Sequence, residues 1–121
     1  MYTFSGKVAH GKKRGKLLNF PTANVPLSLF IPEGIYISET SLKLQSYPSL
    51  TFIGSAKTFN EETYQSETYI LNFDQDIYGS EISVTLLEKL RDNQKFESEE
   101  ALIKQMEKDK KNAESYFKKN A

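Results

Sequence analysis

The 121-residue sequence contains no cysteine, and His10 is its only histidine. The missing cysteines exclude disulfides, thiolate metal sites and cysteine nucleophiles from this chain. A single histidine likewise excludes a metal centre built from several imidazoles. Any bound metal ion must therefore be held mainly by oxygen atoms, which favours Mg²⁺.

Net charge and long apolar runs are missing as well. The 16 basic and 16 acidic residues cancel, so no overall field draws the protein toward nucleic acid or a membrane. No apolar run approaches the roughly 20 residues that span a bilayer. The N-terminal residues lack the charged-then-apolar layout of a secretory signal. We therefore expect a cytoplasmic monomer with no nucleic-acid partner and no membrane partner.

The chain up to about residue 90 predicts β structure. From Tyr2 to Val8 apolar and polar residues alternate, as in a half-buried strand. Further strand candidates are rich in β-branched and aromatic residues and cover 34–37, 50–53, 67–73 and 81–87. Asp74–Gly79 has the composition of a hairpin connection. Several short strands at this spacing indicate a closed antiparallel barrel or a sandwich.

The rest of the chain changes to a helical period. Ser98 is a suitable N-cap, and acidic residues follow it on the first turn. Apolar residues then recur at helical spacing, which predicts one helix from about Glu99 to Lys118 with an apolar stripe. Asp109 falls on that stripe and requires a partner. Arg91 is the candidate, and a capping or water-mediated contact is the alternative.

The strongest local signal for a binding site is the segment Phe20–Asn24, which reads Phe-Pro-Thr-Ala-Asn. Pro21 favours an extended conformation around itself. Thr22 and Asn24 lie two residues apart, so on an extended chain their side-chain oxygens point the same way. Beside the basic glycine turn at 10–15, two neutral oxygens suit a magnesium-bound phosphate group. The alternative is an ordinary polar pair at a strand end.

Glu67 is the carboxylate with the most unusual sequence context. In an extended chain it shares one face with Tyr69, Leu71 and Phe73. Such a carboxylate either lies at the rim of the barrel or is partly desolvated. Desolvation would favour its neutral form and make it a better base.

The chain carries a series of short motifs in a fixed order. The first half has Gly6-Lys-Val, His10-Gly11, Arg14-Gly15, Phe20-Pro-Thr-Ala-Asn24, Pro32-x-Gly34-Ile-Tyr36 and Ile53-Gly54. The second half has Glu67-x-x-Ile-Leu-x-Phe73, Tyr78-Gly79, Leu90-Arg91, Lys95-Phe96-x-Ser98, Leu102 and Asp109. Each motif is weak alone, but the ordered set resembles the riboflavin kinase family. The resemblance extends from Gly6 to Asp109. It implies a mainly β fold, namely a six-stranded antiparallel Greek-key barrel with a C-terminal α-helix.

The resemblance also implies an activity. A riboflavin kinase transfers the γ-phosphoryl group of ATP to the riboflavin 5′-hydroxyl, giving FMN and ADP. Thr22 and Asn24 would bind Mg²⁺ and the ATP phosphates, under a flap that contains Gly11 and Lys16. Glu67 would be the catalytic base for the 5′-hydroxyl.

The remaining contacts implied by the resemblance lie later in the chain. Ile70 and Tyr78 would line the nucleotide pocket. Arg91 and Phe96 would lie in a second flap that closes over the flavin.

The resemblance is to one domain, which accounts for residues 1–121. The barrel is expected over about 1–97 and the helix over about 99–118. In bacteria this domain usually follows an adenylyltransferase domain that converts FMN to FAD, and no segment here resembles that domain, so we expect FMN as the product. The sequence departs from the family pattern at Asn19, where glycine is usual, and at Lys57, where proline is usual.

Two other functions were weighed against the kinase. A flavin- or nucleotide-binding barrel without catalysis would not need Thr22, Asn24 and Glu67 together. A small barrel that binds single-stranded nucleic acid would use lysines and exposed aromatic residues. Zero net charge and the core-like alternation of the aromatic residues speak against that second alternative.

Overall fold

The computed structural model describes residues 2–9, 23–58, 61–73 and 75–120. Its secondary structure elements are β1 (Tyr2–Lys7), β2 (Ala23–Pro26), β3 (Gly34–Leu42), β4 (Gln45–Thr58), β5 (Glu61–Ile70), β6 (Glu81–Arg91) and the helix α1 (Glu99–Lys119). The six strands form one antiparallel sheet in the order β1-β6-β3-β4-β5-β2. Within these ranges, no helix is both long and apolar enough to cross a membrane.

The strand order is that of a Greek key. Strands β3, β4 and β5 pair consecutively, and β6 returns to lie beside β3. The two end strands, β1 and β2, approach each other, because the backbone N–H of Ala9 donates a 2.7 Å hydrogen bond to the carbonyl of Asn24. The sheet is thereby a nearly closed barrel, and the expected six-stranded Greek-key barrel is confirmed.

The expectation that Asp74–Gly79 forms a hairpin connection is wrong. Strand β5 pairs with β4 and β2, whereas β6 pairs with β3 and β1, so the segment joins strands that are not neighbours. The described part of this connection, at Gly79 and Ser80, instead pairs with Val8, the residue that follows β1. The N–H of Gly79 donates to Val8 O and the N–H of Val8 donates to Ser80 O, both at 2.9 Å. Turn-forming residues between two strand patterns indicate a turn but cannot say which strands pair.

Apolar side chains pack on both sides of the sheet. The barrel interior holds the larger cluster, which includes Phe4, Val25, Ile53, Ile82 and Val84. A second cluster lies on the outer face beneath α1 and contains Ile37, Leu50, Leu71 and Ala113. The sheet therefore has a covered patch on its outer face as well as a filled interior.

The barrel interior also contains a chain of hydroxyl groups. Ser38, Thr40, Ser49, Thr51 and Thr68 are each at most 1% exposed. Ser38 Oγ lies 2.7 Å from Ser49 Oγ and 2.8 Å from Thr51 Oγ1. Ser49 Oγ lies 2.8 Å from Thr40 Oγ1, and Thr51 Oγ1 lies 3.0 Å from Thr68 Oγ1. These contacts give each buried hydroxyl a partner, which removes the cost of burying it unpaired.

Helix α1 begins where the sequence pattern indicates. The side chain of Ser98 accepts a 3.1 Å hydrogen bond from the N–H of Ala101, as an N-cap does. Glu99 lies on the first turn and Lys118 on the last, so both charges oppose the partial charge of the nearby helix end.

Asp109 and Arg91 form the ion pair expected from the sequence. Arg91 Nη2 donates to Asp109 Oδ2 at 2.7 Å, and Arg91 Nε lies 3.0 Å from Asp109 Oδ1. Gln105 Nε2 donates to the same Oδ1 at 3.0 Å. The Asp109 side chain is 5% exposed and that of Arg91 is 18% exposed, so the pair joins the end of β6 to α1 in a largely dry setting.

Replacement of Thr51 by valine tests the hydroxyl chain. The side chain keeps its shape, but Ser38 and Thr68 each lose a partner. We expect the free energy of unfolding to fall by about 1–3 kcal/mol, the usual cost of an unsatisfied buried polar group. Denaturant titration measures this loss. Thr85→Val is the control, because the Thr85 hydroxyl contacts Thr3 in an exposed setting. An equal loss of stability in both variants would contradict a special role for the buried hydroxyl groups.

Removal of the charge at Asp109 tests the ion pair. Asp109→Asn leaves the guanidinium of Arg91 partly buried without its carboxylate. We expect a loss of about 2–4 kcal/mol in the free energy of unfolding, slightly below the range for fully buried pairs because Arg91 keeps some exposure. Glu107→Gln on the exposed side of the same helix is the control. A loss below about 1 kcal/mol for Asp109→Asn would show that the pair behaves as a surface ion pair.

Candidate functional site

Strand pairing places several of the predicted site residues in one row. Asn24 on β2 is the register partner of Glu67 on β5, and Glu67 is also the partner of Phe52 on β4. Phe52 pairs with Ile35 on β3, which in turn pairs with Arg91 on β6. Partners across an antiparallel ladder point to the same face of the sheet. We call these five residues the outer row; at about 4.8 Å per strand it extends about 19 Å along the sheet.

The outer row lies on the outside of the barrel. Ile35 packs with the cluster beneath α1, and Arg91 reaches Asp109 on that helix. Asn24 and Glu67 lie at the other end of the row. The register therefore brings together three residues that the sequence assigned to the metal, the base and the flavin.

Glu67 is buried within β5 and does not lie at the rim of the barrel. It lies inside β5, and only 9% of its surface is exposed. Tyr69 and Leu71 join the cluster beneath α1, as expected for side chains on its face. Phe73 does not share that face, because β5 ends at Ile70 and Phe73 turns back to pack against the interior cluster. Of the two alternatives for Glu67, the desolvated carboxylate matches the structure.

Asn24 offers a buried oxygen with an open coordination position. The residue is 5% exposed, and its backbone carbonyl is occupied by the N–H of Ala9. Its side-chain Oδ1 accepts no hydrogen bond in the part of the chain that the structure describes. An unsatisfied buried acceptor costs about 1–3 kcal/mol, so Oδ1 fits a role as a ligand atom. A neutral amide oxygen suits Mg²⁺.

The side chains of the described residues do not form a metal centre by themselves. Over the described ranges, no group of three or more histidine, aspartate, glutamate or cysteine side chains could hold a metal ion. The donor set at Asn24 therefore fits Mg²⁺ that is held mainly by phosphate oxygens and water, which is how this ion usually binds beside nucleotides.

The turn that contains Tyr78 lies close to Asn24. The N–H of Gly79 bonds Val8, and the next residue, Ala9, bonds Asn24. The Tyr78 N–H donates to Asp76 Oδ1 at 3.0 Å, and its side chain is 55% exposed.

Ile70 differs from Tyr78 in its surroundings. It is 4% exposed and pairs with Ser49 at the end of β5. By alternation along the strand it points to the face opposite Glu67. The structure thus does not bring Ile70 into the outer row. Gly11, Lys16 and Thr22 lie outside the described residues; Thr22 immediately precedes β2.

Arg91 is occupied by protein contacts at the far end of the row. Besides its bonds to Asp109, Nη1 donates to the carbonyl of Asp92 at 3.1 Å, and the guanidinium carbon lies 5.9 Å from the centroid of the Phe96 ring. Arg91 therefore holds the segment 92–97, which connects β6 to α1. Asp92 also accepts from exposed Lys89 at 2.7 Å, and this hydrogen bond lowers the pKa of Asp92 and raises that of Lys89.

The sequence did not indicate Phe52 in the outer row, or Asn93 beside it, as site residues. Asn93 Nδ2 donates to the carbonyl of Ile53 at 3.2 Å, while its buried Oδ1 lacks a partner among the described residues. The ring of Phe52 lies against Gly54, where an added Cβ would come within 2.8 Å of Phe52 Cζ and 3.1 Å of Asn93 Nδ2. Gly54 is thus needed for the close approach of both side chains.

Comparison with known proteins shows which family the sequence matches. A model of the flavokinase family, described as riboflavin kinase, matches residues 1–117. A bifunctional riboflavin kinase/FMN adenylyltransferase of Listeria monocytogenes is 36% identical, over 98% of this chain and 39% of the relative. The chain spans less than two fifths of the length of this relative and of several other curated relatives that it matches.

Solved structures show the same fold. A riboflavin kinase of Trypanosoma brucei superposes with a TM-score of 0.68 at 26% identity, covering 97% of this chain and 80% of that one. A Streptococcus pneumoniae structure titled a macrolide-efflux protein superposes with a TM-score of 0.84 at 33% identity, covering 93% of this chain and 38% of that one. With a family match over nearly the whole sequence and this barrel, the chain belongs to the riboflavin kinase family.

Proposed function

We propose that this chain transfers the γ-phosphoryl group of ATP to the 5′-hydroxyl of riboflavin, with Mg²⁺ bound to the nucleotide. One observation carries the proposal: Glu67, whose side chain is buried, is the register partner of Asn24, whose Oδ1 accepts no hydrogen bond from the described residues. Phosphoryl transfer requires positioned reactants, charge stabilisation and a group that orients the attacking hydroxyl. Family membership supports the same reaction.

Asn24 marks the phosphate end of the proposed site. Its Oδ1, together with the hydroxyl of Thr22, would hold Mg²⁺. The metal ion would neutralise charge on the β- and γ-phosphate oxygens. Gly11 and Lys16 would cover the phosphates, and Tyr78 would line the nucleotide pocket. Ile70 is left out of this pocket because it is buried on the face opposite Glu67.

Glu67 would act on the attacking hydroxyl. Register partners have their Cβ atoms about 4.5–5.5 Å apart, so a hydroxyl bound at Glu67 lies beside a phosphate bound at Asn24. As the riboflavin 5′-oxygen bonds to the γ-phosphorus, the bond from that phosphorus to the bridging oxygen of ADP breaks. The hydroxyl proton passes to the carboxylate of Glu67. Burial of Glu67 keeps competing water away from this step.

The flavin would extend along the outer row toward Arg91. Phe52 and Ile35 form the apolar middle of the row. Arg91 would act by holding the segment 92–97 in place, with Phe96 stacked on its guanidinium. The monomeric state and the cytoplasmic location expected from the sequence stay predictions.

An assay of product formation tests the proposal directly. The protein is incubated with riboflavin, ATP and Mg²⁺, and flavins are separated by chromatography. We expect FMN and ADP in equal amounts. Binding of riboflavin without FMN would indicate a non-catalytic flavin-binding barrel, and absence of both would remove the proposal.

Glu67→Gln tests the base. Glutamine keeps the shape of the side chain but does not accept a proton at neutral pH. We expect the turnover rate to drop by about 10²–10⁴-fold, the usual contribution of general-base catalysis, with riboflavin affinity nearly unchanged. Steady-state turnover and fluorescence titration measure the two effects. Glu88→Gln, at an exposed position of β6, should behave as the parent protein. A Glu67→Gln turnover within a few-fold of the parent would refute the role.

Asn24→Ala tests the metal site. The change removes a buried oxygen that makes no bond with the described part of the protein, and relief of this unsatisfied acceptor offsets part of the packing lost. The free energy of unfolding should therefore change by less than about 2 kcal/mol. The Mg²⁺ concentration for half-maximal turnover should rise at least about tenfold, since loss of even an outer partner of a metal ligand costs about 10–100-fold in affinity or activity. Asn112→Ala on the exposed face of α1 is the control. An unchanged Mg²⁺ dependence would contradict the assignment.

A further inference from the structure

Two buried side-chain atoms lack a hydrogen-bond partner among the described residues, namely Oδ1 of Asn24 and Oδ1 of Asn93. Native structures contain few such atoms, because each costs about 1–3 kcal/mol. The proposed reaction explains Asn24 through the metal ion. It does not explain Asn93, which lies in the segment that Arg91 holds over the sheet.

The orientation of the Asn93 amide follows from its one hydrogen bond. Its Nδ2 lies 3.2 Å from the carbonyl oxygen of Ile53. A carbonyl can only accept, so the nitrogen of the amide must face it. The oxygen of the amide therefore points away from Ile53, and it needs a donor that the described part of the protein does not supply.

Asn93 is also close to the outer row. Its Nδ2 and the ring of Phe52 both lie close to the position that a Cβ at Gly54 would occupy. Phe52 is the register partner of Glu67. One strand spacing and two residues along β4 separate Glu67 from Gly54, which is about 8 Å between Cα atoms. A riboflavin molecule with its 5′-hydroxyl at Glu67 is long enough to reach Asn93.

The surroundings select the kind of ligand atom. Phe52 and Gly54, near the Asn93 amide, are apolar. Unlike at Asn24, no phosphate is proposed here that could hold a cation together with one neutral oxygen. The flavin carries suitable donors in its ribityl hydroxyls and in the N3–H of its ring. Both groups belong to one molecule, whose proposed position is beside the apolar side chain of Phe52.

We propose that Asn93 is a flavin-binding residue whose Oδ1 accepts a hydrogen bond from a ribityl hydroxyl or from N3–H. The inference rests on the proposed function, because it takes riboflavin as the ligand. Phe52 forms the wall beside this contact, and Gly54 provides the space for both side chains. Asn93 thereby determines how well the site accepts the flavin, without taking part in the transfer step.

The test measures flavin affinity by fluorescence titration of the parent protein and of Asn93→Leu. Leucine has a similar volume and no polar atom. We expect riboflavin to bind about 5- to 100-fold more weakly, the loss that follows from leaving a buried donor unpaired. The affinity for ATP should not change. Gln94→Leu, at the exposed neighbouring position, is the control and should bind riboflavin as the parent does.

Two flavin analogues identify the donor. If N3–H is the donor, Asn93→Leu and the parent protein should bind 3-methylriboflavin with equal affinity. If a ribityl hydroxyl is the donor, the two proteins should bind lumiflavin, which lacks the ribityl chain, with equal affinity. Either result supports the proposal. An equal loss with all three flavins would show a general distortion and would overturn it, as would an unchanged affinity for riboflavin or a loss confined to ATP.

Folding and the proposed function are checked separately. If Asn93→Leu does not give the parent's circular dichroism spectrum, Asn93→Ala is carried through the same titrations with the same criteria. A parent protein that binds no riboflavin would remove the proposed function and this inference together. A parent that forms FMN, with an Asn93 variant of equal riboflavin affinity, would remove the inference alone.

Discussion

The register of the antiparallel strands is the constraint on which the rest of this structure depends. Because register partners point to the same face, the pairing of Glu67 with both Asn24 and Phe52 places a carboxylate, an amide oxygen and an apolar wall side by side. A slip of one residue would turn every side chain of a strand to the opposite face. The described part of the candidate site therefore exists only in one register.

The barrel interior carries features that specify this register. Ser38 and Ser49 are register partners, as are Thr51 and Thr68, and their hydroxyls bond each other inside the barrel. A slip of one residue would turn the hydroxyls of one strand to the opposite face and leave their former partners buried without them. A satisfied polar network of this kind contributes modestly to net stability but penalises alternatives strongly. The polar interior thus supports the geometry of the outer face, where the chemistry is proposed.

The helix completes the other end of the row. It covers the apolar cluster around Ile37 and Leu50, and its Asp109 holds Arg91 at the end of β6. The segment that follows Arg91 starts from this immobilised point, which explains how Asn93 reaches the carbonyl of Ile53. In contrast, the Asn24 end is held by backbone bonds at the barrel seam. At each end of the row, segments that are distant in the sequence meet. The contacts are between side chains at Arg91 and between backbone groups at Asn24.

Local patterns in the sequence indicated five of the six strands, without β2 and without the full lengths of β4 and β5. They also determined the helix with its Ser98 cap and the need of Asp109 for a partner. A carboxylate on an apolar stripe is unfavourable wherever the helix packs, so that need was visible without a structure. Tertiary structure decided which strands pair, and therefore that β5 and β6 are not neighbours and that Phe73 faces the interior. It also decided the place of Asn93, whose partner lies 40 residues away. Periodicity and turn composition report the conformation near each residue, whereas pairing between distant segments depends on the free energy of the whole fold.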